Sequence, residues 1–367
     1  MSFPPGSVVR GRGVATRPAG RFARQETQTG FADDDEPSSA PGTELFPEQI
    51  RSIISRNRSP DVPFEQSINP YRGCEHGCVY CYARPSHAYV DLSPGLDFET
   101  KIFTKPQAAA VLRRELARPG YRCLPIALGA NTDAYQPVER DLGITRAVLE
   151  VLAEFRHPVS IITKSALIER DIDLLQDLAR DNLVTALVSV TTFDDELKRR
   201  MEPRAASPRR RIETIHRLSE AGIPCGVLAA PVIPGLNDHE LENILAASAG
   251  AGARYAGYVL LRLPHETGPI FAEWLEAQYP LKAARVLRLL REARGGELND
   301  AQFGSRMRGS GPLAALLAQR FAAACRRHGL TRQSEVSLST ARFQVPSGPG
   351  TQLDLLGGGP GSGERSG

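Results

Sequence analysis

The sequence predicts an α/β fold, a parallel sheet that is open or curled into a partial barrel, followed by helices. Three observations predict it. Six short β-rich runs recur along the chain, helical patterns separate most of them, and after Leu263 the periodicity turns wholly helical. The chain has 367 residues, of which 41% are hydrophobic and 24% charged, enough for a sizeable core in an ordinary globular protein. No stretch approaches the roughly 18 consecutive apolar residues of a membrane span. The opening "MSFPPGSVVRGRG" lacks the apolar centre of a secretory signal.

Residues 1–44 are rich in Arg, Gly, Pro and Ser and carry the acidic run "DDDE" at 33–36, a composition expected to stay disordered. A core domain is expected over 45–265. Its strands read as Ser67–Tyr71, Pro125–Gly129, Pro158–Thr163, Val184–Val190, Pro224–Ala229 and Ala256–Leu263. Between them, "GITRAVLEVLAEF" sets Ile144, Val148, Leu149, Val151, Leu152 and Phe155 on one face at the helical period. Similar patterns run over Gln107–Ala117, Ala166–Arg180, Pro208–Ala221 and Asp238–Ala249, with Pro208 suited to a first helical turn. Residues 266–336 predict a helical extension, with helices over roughly 269–294 and 311–328. Residues 337–367 predict a disordered Gly/Ser/Pro tail.

The chemistry concentrates in "PYRGCEHGCVYCYAR", residues 70–84. Cys123, Cys225 and Cys325 are scattered, which argues against a disulfide framework and for a reducing cytoplasm. Cys74, Cys78 and Cys81 instead sit three and two residues apart, just after the first core strand, where parallel α/β folds carry their functional loops. Thiolates bind soft metals and iron–sulfur clusters. Three thiolates on a four-iron cluster leave one iron open, as catalytic metal sites generally do. Tyr80 adds a flat ring beside the third cysteine. Two other readings stay open: a zinc site completed by His76 or His87, and buried structural cysteines.

The loop resembles the Cys-x3-Cys-x-aromatic-Cys signature of the radical S-adenosylmethionine (SAM) superfamily. The resemblance implies a partial (βα)6 TIM-type barrel, a [4Fe–4S] cluster on Cys74, Cys78 and Cys81, and SAM on the open iron. It further implies an electron from a flavodoxin or ferredoxin, and a 5′-deoxyadenosyl radical that abstracts hydrogen from a substrate. Over about 65–265 the chain is similar to the spore photoproduct lyase-like group, often labelled DNA repair photolyases. "GANTDAYQPVE" then implies SAM contacts at Thr132 and Asp133, "ITKS" implies one at Lys164, and Ser189 and Thr191 close the fourth strand. Tyr80 is implied to lie against the adenine. The blocks "MEPRAASPRRRIETI" and "AGIPCGVLAAPVIPGLND" match around Glu202, Arg211 and Gly235, although Arg211 also reads as part of a charged helix face. One departure matters: where that group carries a hydrogen-returning cysteine, this chain has Ala130. The substrate therefore does not carry over, and Tyr255, Tyr258 and Cys225 are the remaining hydrogen-donor candidates.

Two features point toward nucleic acid. "KRRMEPRAASPRRR", 198–211, holds seven basic residues against one acid, and Lys282, Arg285, Arg288, Arg291 and Arg294 lie on one later helix. In the tail, "QLDLL", Gln352–Leu356, resembles the peptide by which bacterial repair proteins dock on the DNA sliding clamp, with Leu356 in place of the usual phenylalanine. The expectation is a cytoplasmic radical SAM enzyme acting in DNA repair or nucleic-acid modification on a DNA or RNA substrate. The alternative is a zinc-containing, non-catalytic nucleic-acid-binding module.

Overall fold

The computed structural model describes residue 9 and residues 11–23 and 41–346. Its strands are β1 (Glu44–Pro47), β2 (Ile54–Arg56), β3 (Gln66–Ile68), β4 (Tyr71–Arg72), β5 (Lys101–Thr104), β6 (Ile126–Leu128), β7 (Val159–Thr163), β8 (Val184–Ser189), β9 (Cys225–Val232), β10 (Tyr255–Leu260) and β11 (Thr331–Arg332). The helices are α1 (Asp97–Thr100), α2 (Ala108–Leu116), α3 (Glu139–Leu142), α4 (Ile144–Glu154), α5 (Ile172–Arg180), α6 (Asp195–Met201), α7 (Pro208–Glu220), α8 (Leu241–Gly250), α9 (Thr267–Gln278), α10 (Pro280–Glu292) and α11 (Gly311–His328).

The main sheet has the order β11-β10-β9-β8-β7-β6-β3-β2, parallel except where β2 pairs antiparallel to β3. It is the mostly parallel sheet of a partial TIM-type barrel and does not close among the described residues. All six sequence-predicted core strands are present, as β3 and β6 to β10. A strand covered on both faces needs apolar residues at nearly every position, and β8 is buried throughout. The helices between strands use the predicted faces: α4 buries Ile144, Val148, Leu149, Val151 and Leu152 against the sheet core. No helix among the described residues is long and apolar enough to cross a membrane.

Three expectations change. The helix expected over 269–294 is two helices, because Tyr279 leaves helical geometry (φ −140°) and Pro280 starts α10. Residues 11–23, expected disordered, form an extended strap against the core. Arg12 donates to the Glu99 carbonyl at 2.7 Å, and the Gly13 and Val14 amides donate to the Glu99 carboxylate at 2.8 and 3.0 Å. This docking is polar and backbone-based, so a count of apolar residues does not register it. Residues 337–346 also pack: Phe343 lies against Tyr121, Phe155 and His157. Gln352–Leu356 lies outside the described residues.

Candidate active site

The cysteine loop leaves β4 at Gly73, and Gly73 and Gly77 (φ +83° and +66°) take left-handed turns that other residues resist. A side chain at either would also collide, at Gly73 with Ile102 and His87 and at Gly77 with the Glu99 carboxylate. Gln136 pins the loop from the β6 side, accepting from the Glu75 amide at 2.9 Å and donating to the Gly73 carbonyl at 3.1 Å. Arg84 pins it from below, donating to the Cys78 carbonyl at 2.9 Å and pairing with Glu99 where both are fully buried.

Cys74, Cys78 and Cys81 all face one cavity of about 670 Å³, within the range of small-molecule sites. The cavity lies over the C-terminal ends of β6 to β10, with walls from Gly129 to Asn131, Ile162 to Lys164, Ser189, Leu228, Ala230 and Tyr258. Burial pushes the Cys78 thiol up to about 12 and raises Cys74 and Cys81 as well. Two buried thiols and a half-buried one facing one cavity become thiolates readily on a bound cationic centre. Among the described residues, no three His, Cys, Asp or Glu side chains converge to hold a single ion. Of the two histidines in the zinc reading, His87 lies outside the cavity, its Nε2 3.0 Å from the Lys101 carbonyl, whereas His76 lines it and turns Nδ1 to Asp133 at 3.3 Å.

The sequence-predicted SAM residues divide. Tyr80, Asp133, Lys164 and Ser189 line the cavity; Thr132 does not, because its hydroxyl donates to the Tyr71 carbonyl at 2.9 Å. Asp133 is also a structural hub. Burial pushes its carboxyl up, but His76 and donors from Thr163 (2.7 Å) and the Lys164 amide (2.8 Å) outweigh burial and hold it at about 2. The Lys164 ammonium lies 5.8 Å from the Tyr80 ring centre and makes no ion pair among the described residues. Tyr80 in turn donates to Glu202, which also accepts from Thr191 at 2.7 Å and pairs with Arg211. Arg211 is buried rather than on a solvated helix face, and it holds the Ser189 carbonyl at 3.0 Å. Of the hydrogen-donor candidates only Tyr258 reaches the cavity, and the walls carry no cysteine beyond the three loop residues.

Sequence reasoning missed Arg84, Glu99 and Gln136, whose partners lie elsewhere in the chain, and Arg262, which lines the cavity beside Tyr82; it named His76 only as a zinc ligand and not as the partner of Asp133. It over-read the basic run 198–211. There Arg200, Arg204, Arg210 and Arg211 are paired with Glu196, Glu75, Glu169 and Glu202, and Lys198 is buried. Arg294 of the later cluster is buried too, donating to the Leu260 and Leu261 carbonyls.

A family model of the radical SAM superfamily matches residues 68–247. An uncharacterised protein of Mycobacterium tuberculosis is 39% identical over 232 residues, covering 63% of this chain and 68% of that one. Another of Methanocaldococcus jannaschii is 28% identical over 214 residues, covering 58% and 76%. Among solved structures, spore photoproduct lyase complexed with dinucleoside spore photoproduct has the same fold, with TM-score 0.57 at 15% identity over 79% of this chain and 81% of that one. A mutant of that lyase with bound AdoMet and the dinucleoside superposes with TM-score 0.56 at 14% identity over the same shares. The chain belongs to the radical SAM superfamily, whose members use a [4Fe–4S] cluster and S-adenosylmethionine.

Proposed function

We propose that this protein abstracts a hydrogen atom from a nucleic-acid substrate, in repair or modification of DNA or RNA. The observation that carries the reading is the single cavity that joins the three cysteines to polar residues at the strand ends and leaves room beyond them. The fold shared with a lyase solved on a dinucleoside lesion supports the substrate class. Cys74, Cys78 and Cys81 would hold the cluster, which with SAM supplies a 5′-deoxyadenosyl radical when bound.

The chain's own residues do the rest. Lys164 offers a cation to the SAM carboxylate, and Ser189 a short polar contact on the next strand. Tyr80, fixed through its hydroxyl by Glu202, presents its ring to the adenine. Asp133 fixes the β6 and β7 ends and, through His76, the cysteine loop. Thr132 acts from behind, holding the backbone at Tyr71. The apolar wall of Leu228, Ala230 and Pro231 keeps water from the reacting carbon. With Ala130 in the cavity wall, a returned hydrogen has no cysteine source there other than the loop thiols.

A flavodoxin or ferredoxin as electron donor, a cytoplasmic location suited to six free cysteines, and docking of Gln352–Leu356 on a sliding clamp belong to the same reading. Isotope transfer tests it. Deuterated DNA and deuterated RNA are each incubated with reconstituted enzyme, dithionite and SAM. Deuterium in 5′-deoxyadenosine from either polymer supports the proposal; none from both refutes the nucleic-acid substrate.

A further inference from the structure

One wall of the cavity joins the cysteine loop to the end of β10. Arg262, two residues past β10, sets its guanidinium carbon 4.8 Å from the Tyr82 ring centre, and Tyr82 directly follows Cys81 while its hydroxyl donates to the Ala130 carbonyl. Arg262 is partly buried and makes no ion pair among the described residues. The two carboxylates in the cavity walls are already engaged: Asp61 pairs with Arg306 at 2.5 Å and Asp133 with His76 at 3.3 Å. Arg308 and Arg332 line the cavity too, near Tyr258, with Arg332 paired beside Ala256 at the start of β10. The Tyr258 hydroxyl is buried in that wall without a hydrogen-bond partner among the described residues.

A half-buried guanidinium stacked on an aromatic ring has lost water from its face but keeps its N–H edge free, the geometry that takes an oxyanion through two parallel hydrogen bonds. A buried hydroxyl without a partner is costly unless a ligand satisfies it. Arg294 holds the wall, donating to the carbonyls of Leu260, Leu261 and Arg306 and so fixing the backbone that leads into Arg262. Burial lowers Arg262 from the ordinary arginine range, and the neighbouring Arg306 adds to the shift against the opposing charge of Asp61.

We propose that Arg262, held on Tyr82, is a phosphate subsite that receives a backbone phosphate of the substrate, while Tyr258, Arg308 and Arg332 line the cavity elsewhere along β10. The assignment rests on the nucleic-acid reading above and makes it specific. The phosphate is anchored beside the residue that follows the third cysteine, so the neighbouring nucleotide is presented to the cysteine end of the cavity.

The test uses reconstituted full-length protein with SAM and a fluorescent single-stranded oligodeoxynucleotide, read by anisotropy, beside an otherwise identical strand with neutral methylphosphonate linkages. A charge-assisted contact predicts that Arg262→Gln weakens phosphodiester binding about tenfold or more, with a shallower salt dependence. The neutral strand should bind wild type and variant alike. Iron per chain and the melting curve report that the variant is folded. Should it fail to fold, Arg262→Lys, which keeps a cation over the ring but not the two-bond fork, must still weaken phosphodiester binding several-fold. Unchanged phosphodiester affinity in a folded variant overturns the subsite and leaves the nucleic-acid reading standing. If neither strand binds but inorganic phosphate does, and Arg262→Gln abolishes that binding, the subsite stands and the nucleic-acid reading falls. No binding of oligonucleotide or phosphate by the wild type overturns both.

Discussion

Replacing Arg211 by Met tests how the site's polar scaffold is held. Arg211 pairs with Glu202 where both are buried, and also donates to the carbonyls of Ser189 (3.0 Å) and Ala206 (2.9 Å). Burial alone would push the Glu202 carboxyl up. Arg211, Lys164, Thr191 and Tyr80 outweigh it and hold the group at about 2 against an ordinary 4.5. A depressed carboxyl stabilises the fold above its unfolded value, and the contribution is lost as pH falls from about 4.5 toward 2. The difference corresponds to about 3 kcal/mol at neutral pH. Arg211→Met strands the carboxylate, and breaking a buried pair costs about 3–5 kcal/mol. Without Arg211, burial raises Glu202 above its ordinary range, so acid relieves the variant by protonating it while the wild type stays ionised. The stability gap should therefore be largest near pH 8 and narrow toward pH 5. Urea midpoints followed through Trp274, the single tryptophan, which shares an apolar cluster with Tyr80, measure it. A gap near 3 kcal/mol is a midpoint shift on the order of 1 M. A gap below about 1 kcal/mol, or one independent of pH, refutes the reasoning.

Lys164→Met should weaken SAM binding about tenfold by equilibrium dialysis while leaving iron per chain unchanged, since a charge-assisted contact is worth about 1.5–3 kcal/mol. Asp133→Asn removes a carboxylate held at about 2, so its cost should appear above pH 4 and vanish below pH 2. Because His76 sits in the cysteine loop, iron release to a chelator should also be faster in that variant at pH 7.5; an unchanged rate would contradict the hub role. Gly13→Val sets a Cβ 1.8 Å from the Gly77 carbonyl oxygen, so the strap must lift. Trypsin should then cut after Arg21, now tied to Glu266 at 3.0 Å, several times faster than in the wild type.

The sheet was legible because strands covered on both faces carry near-continuous apolar runs, as in β8 and β9. The cysteine loop was legible because ligand spacing is local. The positions of Lys164 and Ser189 in the cavity wall were legible because polar residues closing apolar strands of a parallel sheet face its functional end. Thr132 shares that position, yet its hydroxyl turns to Tyr71, a choice between two faces of one turn that pattern does not encode. The pairs Tyr80–Glu202 and Arg84–Glu99, and the strap on Glu99, depend on tertiary closeness. The basic run 198–211 misled because charge counts ignore partners, and most of those partners are carboxylates of this same chain.

The central claim, that Cys74, Cys78 and Cys81 hold a cluster with one open iron, is tested most directly by anaerobic reconstitution. The measurement is iron per chain together with 5′-deoxyadenosine formed from SAM and dithionite. About four irons and slow deoxyadenosine release, both lost in Cys78→Ala, are the predicted result. A colourless protein carrying one zinc and yielding no deoxyadenosine would contradict it.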